Sequence, residues 1–308
     1  MKYCTLGGRD VSRVVMGCMR IADKSLEDTE KVIVQAMQSG VNMFDLADVY
    51  GGGNSEKIFG VAMRDLEIPR KDFVLQTKCG IRKDGEGRIV RFDFSKEYIL
   101  SSVEGSLKRL NTEYIDVLLL HRPDTLVEPD EVAEAFAKLR GSGKVRAFGV
   151  SNFSAGQMRL FESAGIEMVA NQMQFSLCHT AMVDSGFNVN MYKDESVTRA
   201  GDVLEHCRVK GIALQAWSPL QYGFFEGVFV GNEKFPKINK ALEELAEKYS
   251  VQPSAIALAW VLRHPAFKQV ITGTTSPERM RDLCAAADVE LTREEWYSLY
   301  LSTGKILP

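Results

Sequence analysis

A carboxylate, a phenol, an ammonium and an imidazole stand at or just beyond the ends of short apolar runs in this chain. Asp45 closes Val41-Asn42-Met43-Phe44, with Tyr50 shortly after it; Lys78 follows Phe73 to Thr77, and His121 follows Ile115 to Leu120. Each run has the length and content of a buried strand. A phenol is a poor acid near neutrality, with a reference pKa of about 10, but a neighbouring ammonium stabilises its phenolate and brings that pKa down. Lys78 is the candidate ammonium for Tyr50, and Asp45, one strand away, can supply the counter-charge that a cation beside a sheet requires. His121, on the following strand, can hydrogen-bond a carbonyl oxygen and orient it toward the phenol. Such a set protonates an oxygen as it gains negative charge. That is half of a carbonyl reduction, and the other half is a hydride. Taken singly, each residue also has a structural explanation as a strand end, a cap, a packed ring or a loop histidine. Their joint occurrence on three successive strand ends is what points to an enzyme site.

The elements that must position these residues recur along the chain. After an N-terminal hairpin turning at Gly7-Gly8, short β-rich runs ending near Cys18, Asp45, Lys78, His121, Val150, Met173, Trp217 and Gly273 alternate with amphipathic helical stretches, among them Ser25 to Ser39, Asn54 to Leu66, Ser95 to Leu110, Asp130 to Arg140 and Gly201 to Lys210. The first helix shows the logic. Ser25 can cap it, Glu27 and Asp28 suit its positive end, Val32, Ile33, Ala36 and Met37 recur at helical spacing, and Gly40 stops it. Repeated strand and helix predict a parallel sheet, and eight units predict closure into an α/β fold of the (β/α)8 TIM barrel type, a single domain over residues 1-308. The rival, an open doubly wound sheet, would need Gly-x-Gly-x-x-Gly after its first strand, and Met16-Gly17-Cys18-Met19-Arg20 does not supply it. Gly51-Gly52-Gly53 lacks the ending of a phosphate loop and reads as a tight turn into a helix capped by Asn54 or Ser55. Two long connections, Ile81 to Phe94 and Gln174 to Val197, are expected over the C-terminal face, where such barrels build their sites. The first carries Arg82, Lys83, Arg88 and Arg91, which read either as an attraction for an acidic substrate or as a solvated loop.

Composition narrows the class of function. Hydrophobic residues make up 45% and charged residues 26% of the 308, as in a soluble globular protein. A formal charge of -3 argues against a nucleic-acid partner. No secretory signal is visible at the N-terminus, and no apolar run approaches the roughly 20 residues of a membrane helix, so a cytoplasmic location without membrane contact is expected. Six cysteines show no Cys-x-x-Cys pair and read as reduced thiols. Adjacent Cys178-His179 reads as loop, so no metal is assigned.

The sequence then resembles the aldo-keto reductase family. The resemblance is carried by Phe44-Asp45-Leu46-Ala47-Asp48-Val49-Tyr50-Gly51-Gly52-Gly53-Asn54-Ser55-Glu56, Gln76-Thr77-Lys78, Leu118-Leu119-Leu120-His121-Arg122-Pro123, Gly149-Val150-Ser151-Asn152-Phe153 and Trp217-Ser218-Pro219-Leu220. It implies a (β/α)8 barrel plugged at its bottom by an N-terminal hairpin, here Met1 to Val15. The implied activity is reduction of aldehydes or ketones with a nicotinamide cofactor, through a tetrad of Asp45, Tyr50, Lys78 and His121 with tyrosine as the general acid. It also implies that Ser151, Asn152 and Gln172 hold the carboxamide and that Trp217 stacks on the nicotinamide ring, with Ser218 and Leu220 beside it. Gly273, Thr274, Thr275, Ser276, Arg279 and Asp282 resemble the segment that holds the adenosine phosphate. Ser276-Pro277 is a good helix start whose free N-H groups welcome a phosphate, and Arg279 is placed to pair with the 2'-phosphate of NADPH. Two departures are visible. Many members place a basic residue where Gly273 stands, and the usual terminal Glu-Asn reads Asp282-Leu283. NADPH is therefore the expected cofactor, with NADH admissible. The glycine-containing stretch Gln221 to Asn232 reads as a flap over the pyrophosphate or as a plain flexible loop.

The expected partner is a small carbonyl compound, whose identity and the oligomeric state stay open. Specificity is assigned to the two long loops and to the aromatic residues Trp296, Tyr297 and Tyr300, which either line the pocket or pack a helix. Two other readings are open at this point: a nucleotide-sensing regulatory subunit with little turnover, and a lyase-type barrel in which Lys78 forms a Schiff base.

Overall fold

The structure, a computed structural model, describes residues 1–199 and 202–308. An N-terminal hairpin of β1 (Tyr3–Leu6) and β2 (Arg9–Ser12) leads into β3 (Val14–Gly17), α1 (Leu26–Gln38), β4 (Met43–Asp45), α2 (Asn54–Asp65) and β5 (Val74–Cys79). A second hairpin, β6 (Ile81–Lys83) and β7 (Ile89–Phe92), precedes α3 (Lys96–Leu110), β8 (Ile115–Leu120), α4 (Pro129–Gly141), β9 (Val145–Ser151), α5 (Ala155–Ser163) and β10 (Ala170–Gln174). The chain continues through α6 (Ala181–Phe187), α7 (Val203–Lys210), β11 (Ala213–Trp217), a short hairpin of β12 (Gln221–Tyr222) and β13 (Gly227–Val228), α8 (Pro236–Tyr249) and α9 (Pro253–Arg263). It closes with β14 (Phe267–Thr272), α10 (Pro277–Cys284) and α11 (Arg293–Ser302). Strands β3, β4, β5, β8, β9, β10, β11 and β14 form a closed parallel barrel in that order. Each expected strand end falls within one residue of the observed one. The expected start of the fifth helix at Gly201 lies outside the described residues.

Local chemistry fixes the helix ends. Ser25 Oγ accepts from Asp28 N at 3.1 Å and caps α1, as expected. Ser154 with Gln157, and Thr292 with Glu295, form capping boxes at α5 and α11. The expectation for α2 needs correcting, because neither Asn54 nor Ser55 caps it. Asn54 Nδ2 donates to Ala22 O at 2.5 Å and Ser55 Oγ to Cys18 O at 2.6 Å, so both tie the helix to the loop after β3. The turn itself is made by Gly51, Gly52 and Gly53 at φ of 55°, 63° and 93°, and a Cβ at Gly51 would fall 2.4 Å from Ala22 Cβ.

The period of two along each strand sorts side chains between the barrel interior and the surrounding helices. Outward residues such as Phe44, Leu75, Leu118, Leu120, Phe148 and Phe267 join one apolar core with the helices. Inward residues at the bottom, including Met43, Val74, Val117, Leu119, Ala170 and Ala213, cluster with Leu6 and Val11 of the N-terminal hairpin, which closes that end. Continuing upward by the same parity, Met43 leads to Asp45, Val74 to Gln76 and Lys78, Leu119 to His121, Ala170 to Gln172, and Ala213 to Gln215 and Trp217. The alternation that packs the bottom therefore aims the polar residues at the top.

The long connections are ordered rather than open. Ile81 to Phe94 is the β6–β7 hairpin, and Gln174 to Val197 contains α6 with Cys178 and His179 in a turn bridged from Ser176 to His179. Tyr300 Oη donates to Asp184 Oδ1 at 2.9 Å, and Lys305 Nζ lies 2.6 Å from Asp184 Oδ2, so the C-terminal segment straps this second connection. Trp296 and Tyr300 are buried, with Trp296 stacked on Trp260 at 4.9 Å between centroids. Helix packing, not pocket lining, is their role. All six cysteines are free. No helix among the described residues is long and apolar enough to cross a membrane.

Candidate active site

At the C-terminal ends of the barrel strands the four residues meet. Lys78 is fully buried, and its ammonium donates to Asp45 Oδ2 at 2.7 Å, to Leu46 O at 2.8 Å and to Tyr50 Oη at 3.3 Å. Register explains the first contact, since β4 and β5 are neighbours with Asp45 opposite Gln76, two residues short of Lys78. The other Asp45 oxygen, Oδ1, accepts from Gln76 Nε2 at 2.6 Å and Gln172 Nε2 at 3.0 Å. Beneath it, Gln215 Nε2 donates to Gln76 Oε1 at 3.1 Å and Gln269 Oε1 at 2.8 Å, and Gln269 Nε2 to Ser12 O at 2.8 Å. A belt of glutamines thus crosses the barrel and supports the carboxylate from below. Sequence reasoning missed three of the four; their position two residues before Lys78 and Trp217, or inside a strand, was the available signal.

The electrostatics correct one expectation. Burial raises the Tyr50 phenol above its ordinary value, and the stabilising effect of the Lys78 ammonium offsets this only in part. The phenol therefore keeps its proton across the neutral range. Lys78 is held above its ordinary value by Asp45 and Tyr50 despite burial that acts the other way, and so stays charged. His121 meets Tyr50 edge to face at 5.7 Å between centroids. Burial, followed by Lys78, Arg122 and Lys83, pushes its imidazole well below the usual histidine value, so it is neutral. Its Nδ1 is buried and has no partner among the described residues. A proton-bearing phenol and a neutral imidazole can donate hydrogen bonds to an oxygen that is gaining charge, and the ammonium behind the phenol can stabilise the phenolate that results.

These groups open into a cavity of about 970 Å³, at the large end of the range for small-molecule sites. Of the sequence-predicted residues, Asp45, Tyr50, His121, Ser151, Asn152, Gln172, Trp217, Ser218, Leu220, Gly273, Thr274, Thr275, Arg279 and Asp282 line it. Lys78 stands behind Asp45 and Tyr50. Ser276 is not on the wall; its Oγ accepts from Arg279 N at 3.2 Å and caps α10. Along one side, Trp217 Nε1 donates to Asn152 Oδ1 at 3.1 Å, Asn152 Nδ2 to Ser151 Oγ at 2.8 Å, and Ser151 Oγ to Gln172 O at 3.0 Å. Asn152 reaches this position at φ 63°, in the left-handed region that asparagine tolerates. Phe225, from the β12–β13 turn, stacks on Trp217 at 5.9 Å, and it was not foreseen. Nor was Arg20. Its guanidinium lies 3.5 Å from Gly273 O and 4.0 Å from where a side chain at 273 would begin, so an arginine from the loop after β3 fills the place of the missing basic residue. Arg279 Nε reaches Thr274 Oγ1 at 3.3 Å.

A sequence profile of the aldo/keto reductase family matches residues 13–300. The chain belongs to this family. It is similar to a 6-dehydroglucose reductase of Agrobacterium fabrum, with 34% identity over 96% of each chain. It also resembles YcsN, an uncharacterized oxidoreductase of Bacillus subtilis, with 36% identity over 94% of this chain and 93% of that one. Among solved structures it is similar to a thermostable aldo-keto reductase in complex with the inhibitor epalrestat, at 28% identity and a TM-score of 0.75, covering 98% of this chain and all of the other. This aldo/keto reductase is accordingly an oxidoreductase of carbonyl compounds that depends on a nicotinamide cofactor.

Proposed function

We propose that this aldo/keto reductase reduces a small aldehyde or ketone with NADPH, with Tyr50 as general acid, acting as one unit over residues 1-308 in the cytoplasm. The observation that carries the reading is the Lys78 ammonium, shared at 2.7 Å and 3.3 Å between the Asp45 carboxylate and the Tyr50 phenol, with Tyr50 facing the cavity.

The residues present fit a nicotinamide cofactor. Ser151, Asn152 and Gln172 offer amide and hydroxyl groups on one wall, and among the described residues no donor reaches the Gln172 side-chain carbonyl. At the far end Arg20 and Arg279 carry no carboxylate partner among the described residues, which suits a phosphate. Ser151, Asn152, Gln172 and Trp217 would hold the nicotinamide, with Ser218 and Leu220 beside it, and Gly273, Thr274, Thr275, Arg279 and Asp282 the adenosine end, with Ser276 acting through its cap. When bound, this cofactor supplies the hydride. The protein's own work is to orient the carbonyl oxygen with His121, to give it the Tyr50 proton, and to stabilise the phenolate left behind with Lys78, whose charge Asp45 balances.

Tyr50→Phe tests the assignment. It is expected to remove reduction of an activated aldehyde, followed by NADPH absorbance, while NADPH still quenches protein fluorescence. Unchanged turnover in that variant would sink the role of Tyr50, and absent turnover in the unaltered protein would sink the reductase reading.

A further inference from the structure

Four basic residues stand on the connection over the substrate end of the cavity, and the structure divides them. Arg82 lies 3.5 Å from Asp93 and over the Tyr98 ring, Arg91 lies 3.8 Å from Asp93, and Arg88 pairs with Asp84 at 2.9 Å and Glu86 at 3.2 Å. Each is paired with a carboxylate of the same connection, Arg82 and Arg91 sharing that of Asp93. Lys83 differs: it has no carboxylate partner among the described residues, lines the cavity and leans on Val49 O at 3.4 Å, the carbonyl just before Tyr50.

A second cation faces the same space. Arg122 follows His121 directly, is half-buried on the cavity wall and has its guanidinium 5.6 Å from the centroid of Trp217. Among the described residues it makes neither a salt bridge nor a hydrogen bond through its side chain. A guanidinium carries five donors in a planar fork, and those of Arg122 are taken by no protein group among the described residues and open into the cavity, where a ligand can meet them. The contact with the indole face satisfies none of them. The carboxylates that line the cavity do not compensate. Asp45 is engaged by Lys78, Gln76 and Gln172, while Asp282, at the adenosine end, pairs with Arg281 at 3.0 Å. Arg122 and Lys83 both help to hold His121 neutral, which places their charge beside the imidazole.

The geometry points to a small substrate that carries an oxyanion as well as its carbonyl group, the oxyanion held by the Arg122 fork and approached by Lys83 while His121 and Tyr50 take the carbonyl oxygen. This rests on the reductase reading above and adds the substrate class: small carbonyl compounds bearing a carboxylate or a phosphate ester. The fork geometry of arginine suits either group, and a point charge from lysine adds attraction without geometry.

The test compares matched pairs with NADPH: 4-carboxybenzaldehyde against its methyl ester, and glyceraldehyde 3-phosphate against glyceraldehyde. The expected result is a kcat/KM at least about tenfold higher for the anion in one pair or both, carried mainly by KM, since a hydrogen bond to a charged group contributes on that order. The pair showing the larger ratio identifies carboxylate or phosphate as the group recognised. In Arg122→Met that ratio is expected to collapse toward one, in Arg122→Lys to recover in part, and in Lys83→Met to fall by a smaller factor. Equal or better turnover of the neutral member of both pairs by the unaltered protein overturns the proposal, even should Arg122→Met fail to fold. A binding arm separates this failure from failure of the reductase reading. Fluorescence titration with 4-carboxybenzyl alcohol and with its methyl ester is expected to favour the acid whether or not any aldehyde is turned over, and equal affinity would count against the oxyanion site.

Discussion

Gln76 Nε2 lies 2.6 Å from Asp45 Oδ1, and so the carboxylate that balances Lys78 is held from beneath by a neutral amide of the same strand that carries the lysine. Gln76 and Lys78 are two residues apart and point to the same side, which makes the strand both the source of the charge and the clamp on its partner. The belt below, through Gln215 and Gln269 to Ser12 O, fixes which way the Gln76 amide faces.

Gln76→Leu should therefore act on both stability and turnover. It leaves Gln172 as the remaining donor to Asp45 Oδ1 and removes both hydrogen bonds between Gln76 and Gln215 inside the barrel. The loss expected is about 1–3 kcal/mol of unfolding free energy, the usual range for weakening a buried hydrogen-bond network around a charged carboxylate. It is accompanied by a several-fold fall in kcat with NADPH affinity little changed. Urea denaturation and steady-state kinetics check the two parts separately, and an unaltered kcat would show that Asp45 needs no such support.

The pH profile of aldehyde reduction should be flat across the neutral range. Tyr50 is raised above the ordinary phenol value by burial, so the acid form persists until strongly alkaline pH; His121 is held well below the ordinary histidine value by burial and neighbouring cations, so it does not gain a proton as pH falls to about 6. A plot of kcat/KM for an uncharged aldehyde between pH 6 and about 9 should show no inflection from either group. A break near pH 6.5 would mean that His121 titrates normally, contrary to its surroundings.

Asp48 offers a stability test of the opposite sign. Burial, and next the Glu56 carboxylate, raise its pKa to about 7, and its Oδ1 is buried without a partner among the described residues. A carboxyl whose folded pKa lies above the unfolded value of about 3.9 gives stability that is intact below that value and lost as pH rises through the folded one. Asp48→Asn, neutral at all pH, should thus be more stable than the unaltered protein at pH 8 and gain little at pH 4. Melting temperatures at the two pH values decide this, and an equal effect at both would exclude ionisation of Asp48 as the cause.

Much of this architecture was legible in the sequence because period and parity are local. The strand ends could be placed within a residue from apolar runs, and Asp45, Lys78 and His121 converge because each continues an inward-facing series that starts in the packed bottom. What escaped was set by side chains meeting across distant elements. Gln215 and Gln269 lie 54 residues apart and hydrogen-bond only because β11 and β14 are neighbours. Arg20 comes to Gly273 from 253 residues away, and Phe225 reaches Trp217 only through the backbone turn of a short hairpin. The sign of the Tyr50 shift was also missed, since a sequence shows a nearby lysine but not the depth at which the phenol is buried.

Arg20 and Arg279 should together set the cofactor preference. Arg20 stands against the Gly273 carbonyl and Arg279 against Thr274 Oγ1, one from the loop after β3 and the other from α10, and both residues line the end of the cavity proposed above for the adenosine. Neither has a carboxylate partner among the described residues, so a phosphate would not have to displace one. Charge-assisted bonds from arginine to phosphate contribute about 1.5–3 kcal/mol, so Arg279→Ala and Arg20→Ala should each weaken NADPH binding by at least about tenfold. A group recognising the 2'-phosphate leaves NADH binding nearly unchanged, whereas one recognising the pyrophosphate weakens both cofactors alike. Fluorescence titration of each variant with NADPH and NADH separates these roles. If neither substitution alters the ratio of the two affinities, the 2'-phosphate is not what these arginines read, and the preference for NADPH fails with it.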